Sequence, residues 1–286
     1  GDGYVDMFYM IFAGVGANTG EADDHIWPHK SSIYFSRWRT YACSCEYYSE
    51  KNGILDGIGT ICHEFSHVLG LPDLYDTDYE GSGGQAQHPG DWEIMSGGSY
   101  NNYGRTPAAY SAYDRYALGF AKPTVIKAAG EYQLPALGES NQIMMIKSPL
   151  NKEFFLLENR QQTRWDAHVP GTGLLVARVD SSNVSVWSGN SVNNNPARLY
   201  YELLRAGRVM TGEGDASDPF PGTRGIPMIT NDTEANLKNF NGTRNPWNSA
   251  GIQEEDGVIS FRVLPDGGIV ADVEDFEAMP VTATSG

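Results

Sequence analysis

Basic side chains are scarce in this sequence: 20 lysines and arginines stand against 36 aspartates and glutamates in 286 residues, a formal net charge of -16. Phosphate backbones and anionic lipid repel such a surface, which excludes nucleic acid and negatively charged membranes as partners. Long apolar runs are absent too. Spanning a bilayer takes roughly 20 consecutive apolar residues, and no segment approaches that, so no membrane span is expected. No signal peptide is readable; the chain opens on glycine rather than methionine, as removal of a leader or propeptide would leave it. Cysteine is limited to Cys43, Cys45 and Cys62, an odd number and too few for a disulfide scaffold. Three buried free thiols are expected, with a bridge from the Cys43/Cys45 segment to Cys62 as the alternative. Internal repeats are missing, and no acidic loop has the full EF-hand pattern.

What is present is concentrated in His63-Glu64-Phe65-Ser66-His67-Val68-Leu69-Gly70-Leu71-Pro72-Asp73. Residues four apart lie one above the other on a helix face, so His63 and His67 can bite the same ion. Ile58, Ile61, Phe65, Val68 and Leu69 recur at intervals of three and four and predict an apolar stripe on the opposite side. Asp56 is the expected N-cap. Gly70 and Pro72 end the helix, since glycine tolerates the left-handed turn and proline disfavours helix at Leu71. The chain then doubles back and brings Asp73 toward the histidines. Zinc held by three protein ligands keeps a position for water and lowers its pKa from about 15.7 to roughly 7. Glu64, beside that position, suits a general base. A chance HExxH would leave two solvated histidines, but the extension through Gly70 and Asp73 follows the glycine and third-ligand positions of the longer metzincin motif.

The stretch Asp91-Trp92-Glu93-Ile94-Met95-Ser96-Gly97-Gly98 looks like the Met-turn beneath the metal in that superfamily. With HEFSHVLGLPDLYD, GDWEIMSGG, YSAYDRYALGF and the upstream YVDMFYMIFAGVG and IWPHKSS, the chain resembles the immune inhibitor A family of secreted bacterial metalloproteases. Looser likeness continues through Phe154–Gln161, Gly173–Asp180 and Gly214–Gly222 to about Val263. The resemblance implies a zinc endopeptidase with His63, His67 and Asp73 as ligands, Glu64 as base and Met95 as an apolar floor. It also implies an extracellular protein acting on protein or peptide substrates, and a monomer is expected. Where several metzincins carry a tyrosine two residues after the methionine, this chain has Gly97; Tyr100 and Tyr103 are the nearby candidates for stabilising an oxyanion. A strand and helix that usually precede the Val5–Ala13 segment have no counterpart in Gly1–Tyr4: either the chain is a trimmed or processed product, or those elements are absent.

The expected fold class is α+β: a metzincin-like zinc protease catalytic domain over 1–122, a β-rich subdomain over 123–265, and an acidic tail or the start of a further domain over 266–286. Strands are expected at Met7–Ala13, Ser32–Tyr41, Ile143–Lys147, Phe154–Glu158, Leu174–Val179 and Val258–Val263, with a second helix over Pro107–Leu118. Ser181–Pro196 reads as a polar surface loop. Calcium is a second candidate cofactor, through Asp76 and Asp78 with Asp73 and Glu80, through Asp215 and Asp218, or through Asp2 and Asp6. Solvated loop carboxylates are the ordinary reading of each cluster. His25, His29 and His168 fall in loops, and Arg160 and Arg178 are expected to pair with acids. Two other readings compete: a gluzincin-type peptidase with Glu80 or Glu93 as third ligand, and a non-catalytic adhesin that retains the fold. The intact Glu64 argues against the second, because a binding module has no use for the base.

Overall fold

A computed structural model of the protein describes residues 2–21, 24–33, 39–150, 152–207 and 214–267. The first sheet contains β1 (Phe8–Val15), β2 (His29–Ser32), β3 (Thr40–Ser49) and β4 (Ile54–Leu55), with β1 parallel to β3 and both β2 and β4 antiparallel to it. Of the strand expected over Ser32–Tyr41, residues 34–38 lie outside the described residues; Ser32 ends β2, Thr40 and Tyr41 open β3, and Ile33 and Arg39 belong to neither. Ala42 to Cys45 are all buried, so the middle of β3 is covered on both faces.

Helix α1 (Ile58–Leu69) follows and packs on this sheet. Its N-cap is Gly57 rather than Asp56; Asp56 sits one residue earlier, and its carboxylate accepts from the Gly57 N–H at 3.0 Å. Gly57 and Gly59 are required because a Cβ on them would lie 2.0 Å from the Gly104 carbonyl carbon and 1.8 Å from the Ser99 oxygen. The helix therefore meets the 97–104 loop backbone to backbone. Ser66, fully buried, donates to the Cys62 carbonyl at 2.6 Å and shares a 2.6 Å hydrogen bond with the Tyr110 hydroxyl. Because the small residues take the contact, the apolar stripe is not the packed face: Ile58, Phe65 and Leu69 are each about two-fifths exposed, at 42, 40 and 43%.

Helix α2 (Ala112–Ala117) is shorter than the periodicity of Pro107–Leu118 suggests, because a reciprocal cap between Ser111 and Asp114 starts it late. Beyond it the chain is mostly strand: β5 (Thr124–Val125), β6 (Gly130–Pro135), β7 (Met144–Lys147), β8 (Glu153–Arg160) and β9 (Gly173–Asp180) precede the short α3 (Val184–Ser188), and β10 (Tyr201–Leu204), β11 (Trp247–Glu255) and β12 (Val258–Pro265) follow it. Five of these strands form a sheet in the order β10-β9-β8-β7-β5, and three form another in the order β11-β12-β6.

The five-stranded sheet is the central wall, and the pleat sorts its side chains two ways. Phe155, Leu157, Leu174 and Val176 join Leu134, Ile252, Ile259 and Phe261 in one apolar cluster toward the three-stranded sheet. Leu156, Ala177, Val179, Ile143 and Met145 form the other with Leu71, Leu74, Ile94 and Met95. Both faces being covered explains the near-continuous apolar runs of β8 and β9. At about 1.5–3 kcal/mol per buried large side chain, the second cluster anchors the segment after α1 and the Met95 turn to the strand-rich half. Of the acidic 266–286 segment only Asp266 and Gly267 are described; Asp266 pairs with Arg244. No helix among the described residues is long and apolar enough to cross a membrane.

Candidate metal centre

Gly70, at φ 104°, closes α1 in the left-handed region that glycine adopts without strain, and its N–H donates to the carbonyls of His67 and Ser66. The turn sends Leu71 and Pro72 back along the helix and brings Asp73 against both imidazoles: Asp73 Oδ1 lies 3.1 Å from His63 Nε2 and 3.2 Å from His67 Nε2. Among the described residues, these three form the one grouping of histidine, cysteine and carboxylate side chains close enough to share an ion, with ligand atoms within 4.8 Å of one another.

Tertiary contacts set the chemical state of that grouping. His63 Nδ1 lies 2.8 Å from the Ile94 carbonyl and His67 Nδ1 lies 2.8 Å from the Leu71 carbonyl. A carbonyl only accepts, so each Nδ1 carries a proton, and in the neutral form that can bind a metal each ring turns a lone pair on Nε2 toward Asp73. Asp73 Oδ1 is buried and accepts no hydrogen bond. Three acceptor lone pairs thus converge with no donor among them, an arrangement that a divalent cation satisfies. Burial works against ionising Asp73, but without a cation the imidazoles can meet it only by taking a proton on Nε2, and that pairing holds the carboxyl well below the usual range. The donor set of two imidazoles and one carboxylate fits zinc.

The cleft over this grouping encloses about 740 Å³. Glu64 lines it although its side chain is largely buried, and burial raises its pKa while His63 and His67 oppose the rise. Met95 is fully buried; its carbonyl accepts from the Leu74 N–H at 2.9 Å, tying the turn below the histidines to the segment that carries Asp73. Gly97 also borders the cleft, and a Cβ there would stand 2.6 Å from Asp91 Oδ1 and 3.2 Å from the Gly90 carbonyl carbon. A side chain at that position requires the Asp91 carboxylate to swing aside and the Gly90 backbone to give by a few tenths of an ångström. Tyr100 lies on the cleft wall with its phenol pushed up to about 12 by burial, whereas Tyr103 packs edge-on against Tyr48 and is not brought to the cleft.

Other expected residues sit elsewhere. Glu80 is exposed, and Glu93 is buried beside Asp114, where burial and the neighbouring carboxylate hold its pKa well above the usual range; neither belongs to the metal grouping. Asp76 accepts from the N–H groups of Asp78 and Ala86, shaping the loop after Asp73. Asp218 Oδ2 takes Arg205, the Trp92 indole and the Asp215 N–H while its Oδ1 is buried without a partner, and Asp215 Oδ1 accepts from the Ser217 N–H. Asp2 pairs with Arg39. Arg160 pairs with Asp166 and Arg178 with Glu202. Cys43, Cys45 and Cys62 are all free, and burial raises each thiol, Cys45 to about 11, which leaves none activated as a nucleophile.

Several cleft residues were not singled out from sequence. Tyr75 stacks on the His63 ring with centroids 6.4 Å apart, and His88 hydrogen-bonds Ser96 Oγ at 2.8 Å. Trp187 and Asn190 reach the cleft from the segment 181–196, which is a corrected expectation: it contains α3 and the fully buried Asn193 rather than being only a surface loop. Asparagines in a polar run look like solvated loop residues; their partners lie more than a hundred positions away, and no local signal reveals them.

Residues 1–121 match the family model described as the catalytic domain of the immune inhibitor A peptidase M6. Among curated proteins, immune inhibitor A of Bacillus thuringiensis subsp. alesti is 35% identical over 130 residues, covering 40% of this chain and 18% of that protein. The pre-pro-metalloprotease PrtV of Vibrio cholerae serotype O1 is 30% identical over 135 residues, covering 41% of this chain and 14% of that protein. The chain therefore matches less than a fifth of the length of either relative.

Proposed function

We propose that this chain, whose residues 1–121 belong to the immune inhibitor A peptidase family, is a secreted zinc-dependent endopeptidase of metzincin-like architecture, with the strand-rich half from residue 123 to 265 packed beside the catalytic part. The observation that carries the reading is the buried, donor-free convergence of His63 Nε2, His67 Nε2 and Asp73 Oδ1 beside a buried glutamate in an open cleft. When bound there, zinc supplies a Lewis acid for the scissile carbonyl and acidifies a water. Glu64 takes the proton from the attacking water on its carboxylate and passes it to the leaving amine, so no covalent enzyme intermediate is needed. Its raised pKa suits both halves of that task, since a base that must return its proton works best with a pKa near the operating pH. The Ile94 and Leu71 carbonyls hold both imidazoles in the ligating tautomer throughout. Tyr100, on the same wall, is the candidate donor to the developing oxyanion.

Glu64→Gln tests the reading. The variant is expected to keep zinc, because no ligand changes, and to lose hydrolysis of casein and gelatin. Cleavage at the parent rate by the zinc-loaded variant would overturn the assignment of the base.

A further inference from the structure

The third ligand is held by a residue far outside the matched family segment. Asn190 Oδ1 accepts from the Asp73 N–H at 2.6 Å, and Asn190 Nδ2 donates to Asp73 Oδ2 at 2.6 Å. The backbone N–H can only donate, which fixes the orientation of the amide and leaves its NH2 facing the carboxylate. One side chain therefore grips Asp73 at both its backbone and its carboxylate, spending Oδ2 in the grip and leaving Oδ1 pointed at the imidazoles without a partner.

The surroundings make this a built contact. Asn190 has φ 55°, a left-handed conformation that asparagine tolerates better than most residues, directly after the Gly189 that ends α3. Thr77 Oγ1 lies 3.0 Å from both the Asn190 carbonyl and Asn194 Oδ1, which share its one proton, and the Thr77 N–H donates to Asn194 Oδ1 at 3.2 Å. Asn193 Nδ2 donates to the Leu74 carbonyl at 2.9 Å. The 190–194 run thus clamps residues 73–77 along their length, and only Asn190 touches the ligand.

We infer that Asn190 is a positioning residue for the metal centre, and that the site formed by the N-terminal part is completed by this one side chain of the strand-rich half. The inference rests on the zinc reading above. A carboxylate restrained through one oxygen offers the other as a single, oriented donor; a free one rotates and can satisfy itself with water.

The test is zinc affinity of the full chain, measured by chelator competition, together with the unfolding midpoint of the metal-free protein. Asn190→Gly removes the amide and accepts the positive φ, so the turn survives. It is expected to weaken zinc binding by about 10- to 100-fold, as loss of a partner behind a ligand does, with the metal-free midpoint little changed. Asn194→Ala loosens the same clamp without touching Asp73 and is expected to leave zinc affinity at the parent value. Parent-like zinc affinity in Asn190→Gly, or an equal loss in Asn194→Ala, overturns the inference. A parent chain that binds no zinc overturns it together with the proposed function, whereas cleavage by Glu64→Gln sinks only the catalytic assignment.

Discussion

Replacing Gly59 by alanine adds one methyl group at the tightest contact around the metal helix. The new Cβ would stand 1.8 Å from the Ser99 carbonyl oxygen, 2.9 Å from its carbon and 3.2 Å from the Gly104 Cα, all main-chain atoms that cannot rotate away. Restoring normal contact requires α1 and the 97–104 loop to part by more than 1 Å. That movement breaks the 2.8 Å hydrogen bond from the Gly59 N–H to the Gly104 carbonyl. Overpacking costs about 1–3 kcal/mol, and the stranded amide about 1–3 kcal/mol more. Alanine's better helix propensity returns up to about 1 kcal/mol, leaving a net loss of roughly 1–6 kcal/mol. Denaturant unfolding of the metal-free proteins measures it, with Gly70→Ala as the comparison. Gly70 has nothing within 4 Å of an added Cβ and φ 104°, so only backbone strain of about 1–2 kcal/mol applies there. Because the same loop carries Ser99 and Tyr100 to the cleft, Gly59→Ala should also impair hydrolysis. An unfolding midpoint for Gly59→Ala at or above the parent's would refute the reasoning that this helix is seated by main-chain contact.

Arg160→Met removes a fully buried guanidinium and leaves Asp166 and Glu158 without it in the interior; a loss of about 3–5 kcal/mol is expected in thermal or denaturant unfolding, and a loss below about 1 kcal/mol would contradict the buried-pair account. His88, held down to about 4 by burial and the charge of Arg205, stays neutral in the folded chain while the unfolded chain protonates it near pH 6.5. Its contribution is therefore complete above about pH 6.5 and is lost as pH falls toward about 4; His88→Gln should flatten the stability profile in that window, and an unchanged acid slope would count against it.

The metal helix was legible because its information is local. The i, i+4 histidines, the stop at Gly70 and the return to Asp73 all lie within about three helical turns' length of sequence, and the structure places them together. The strands of the second half were legible for a similar reason, since β7, β8, β9 and β12 overlap the apolar runs that predict them. Where the reading failed, a partner distant in sequence decided. Asp56 gave way to Gly57 as cap because the helix start is pressed on Gly104, and the apolar stripe of α1 stayed half exposed because Gly59 and Ser66 make the packed face.

By itself, then, the sequence determined which atoms are offered for a metal and on what helix, since a repeat of 3.6 residues needs no knowledge of the rest of the chain. Only the tertiary structure decided their chemical state. The protons on the two imidazoles are assigned by the carbonyls of Ile94 and Leu71, the room at Gly97 by Asp91, and the free oxygen of Asp73 by Asn190. Hydrogen bonds to a ligand's far side come from whichever segment the packed core delivers there. Here the Asn190 segment comes from the strand-rich half, whose apolar cluster is shared with Leu71, Leu74 and Met95.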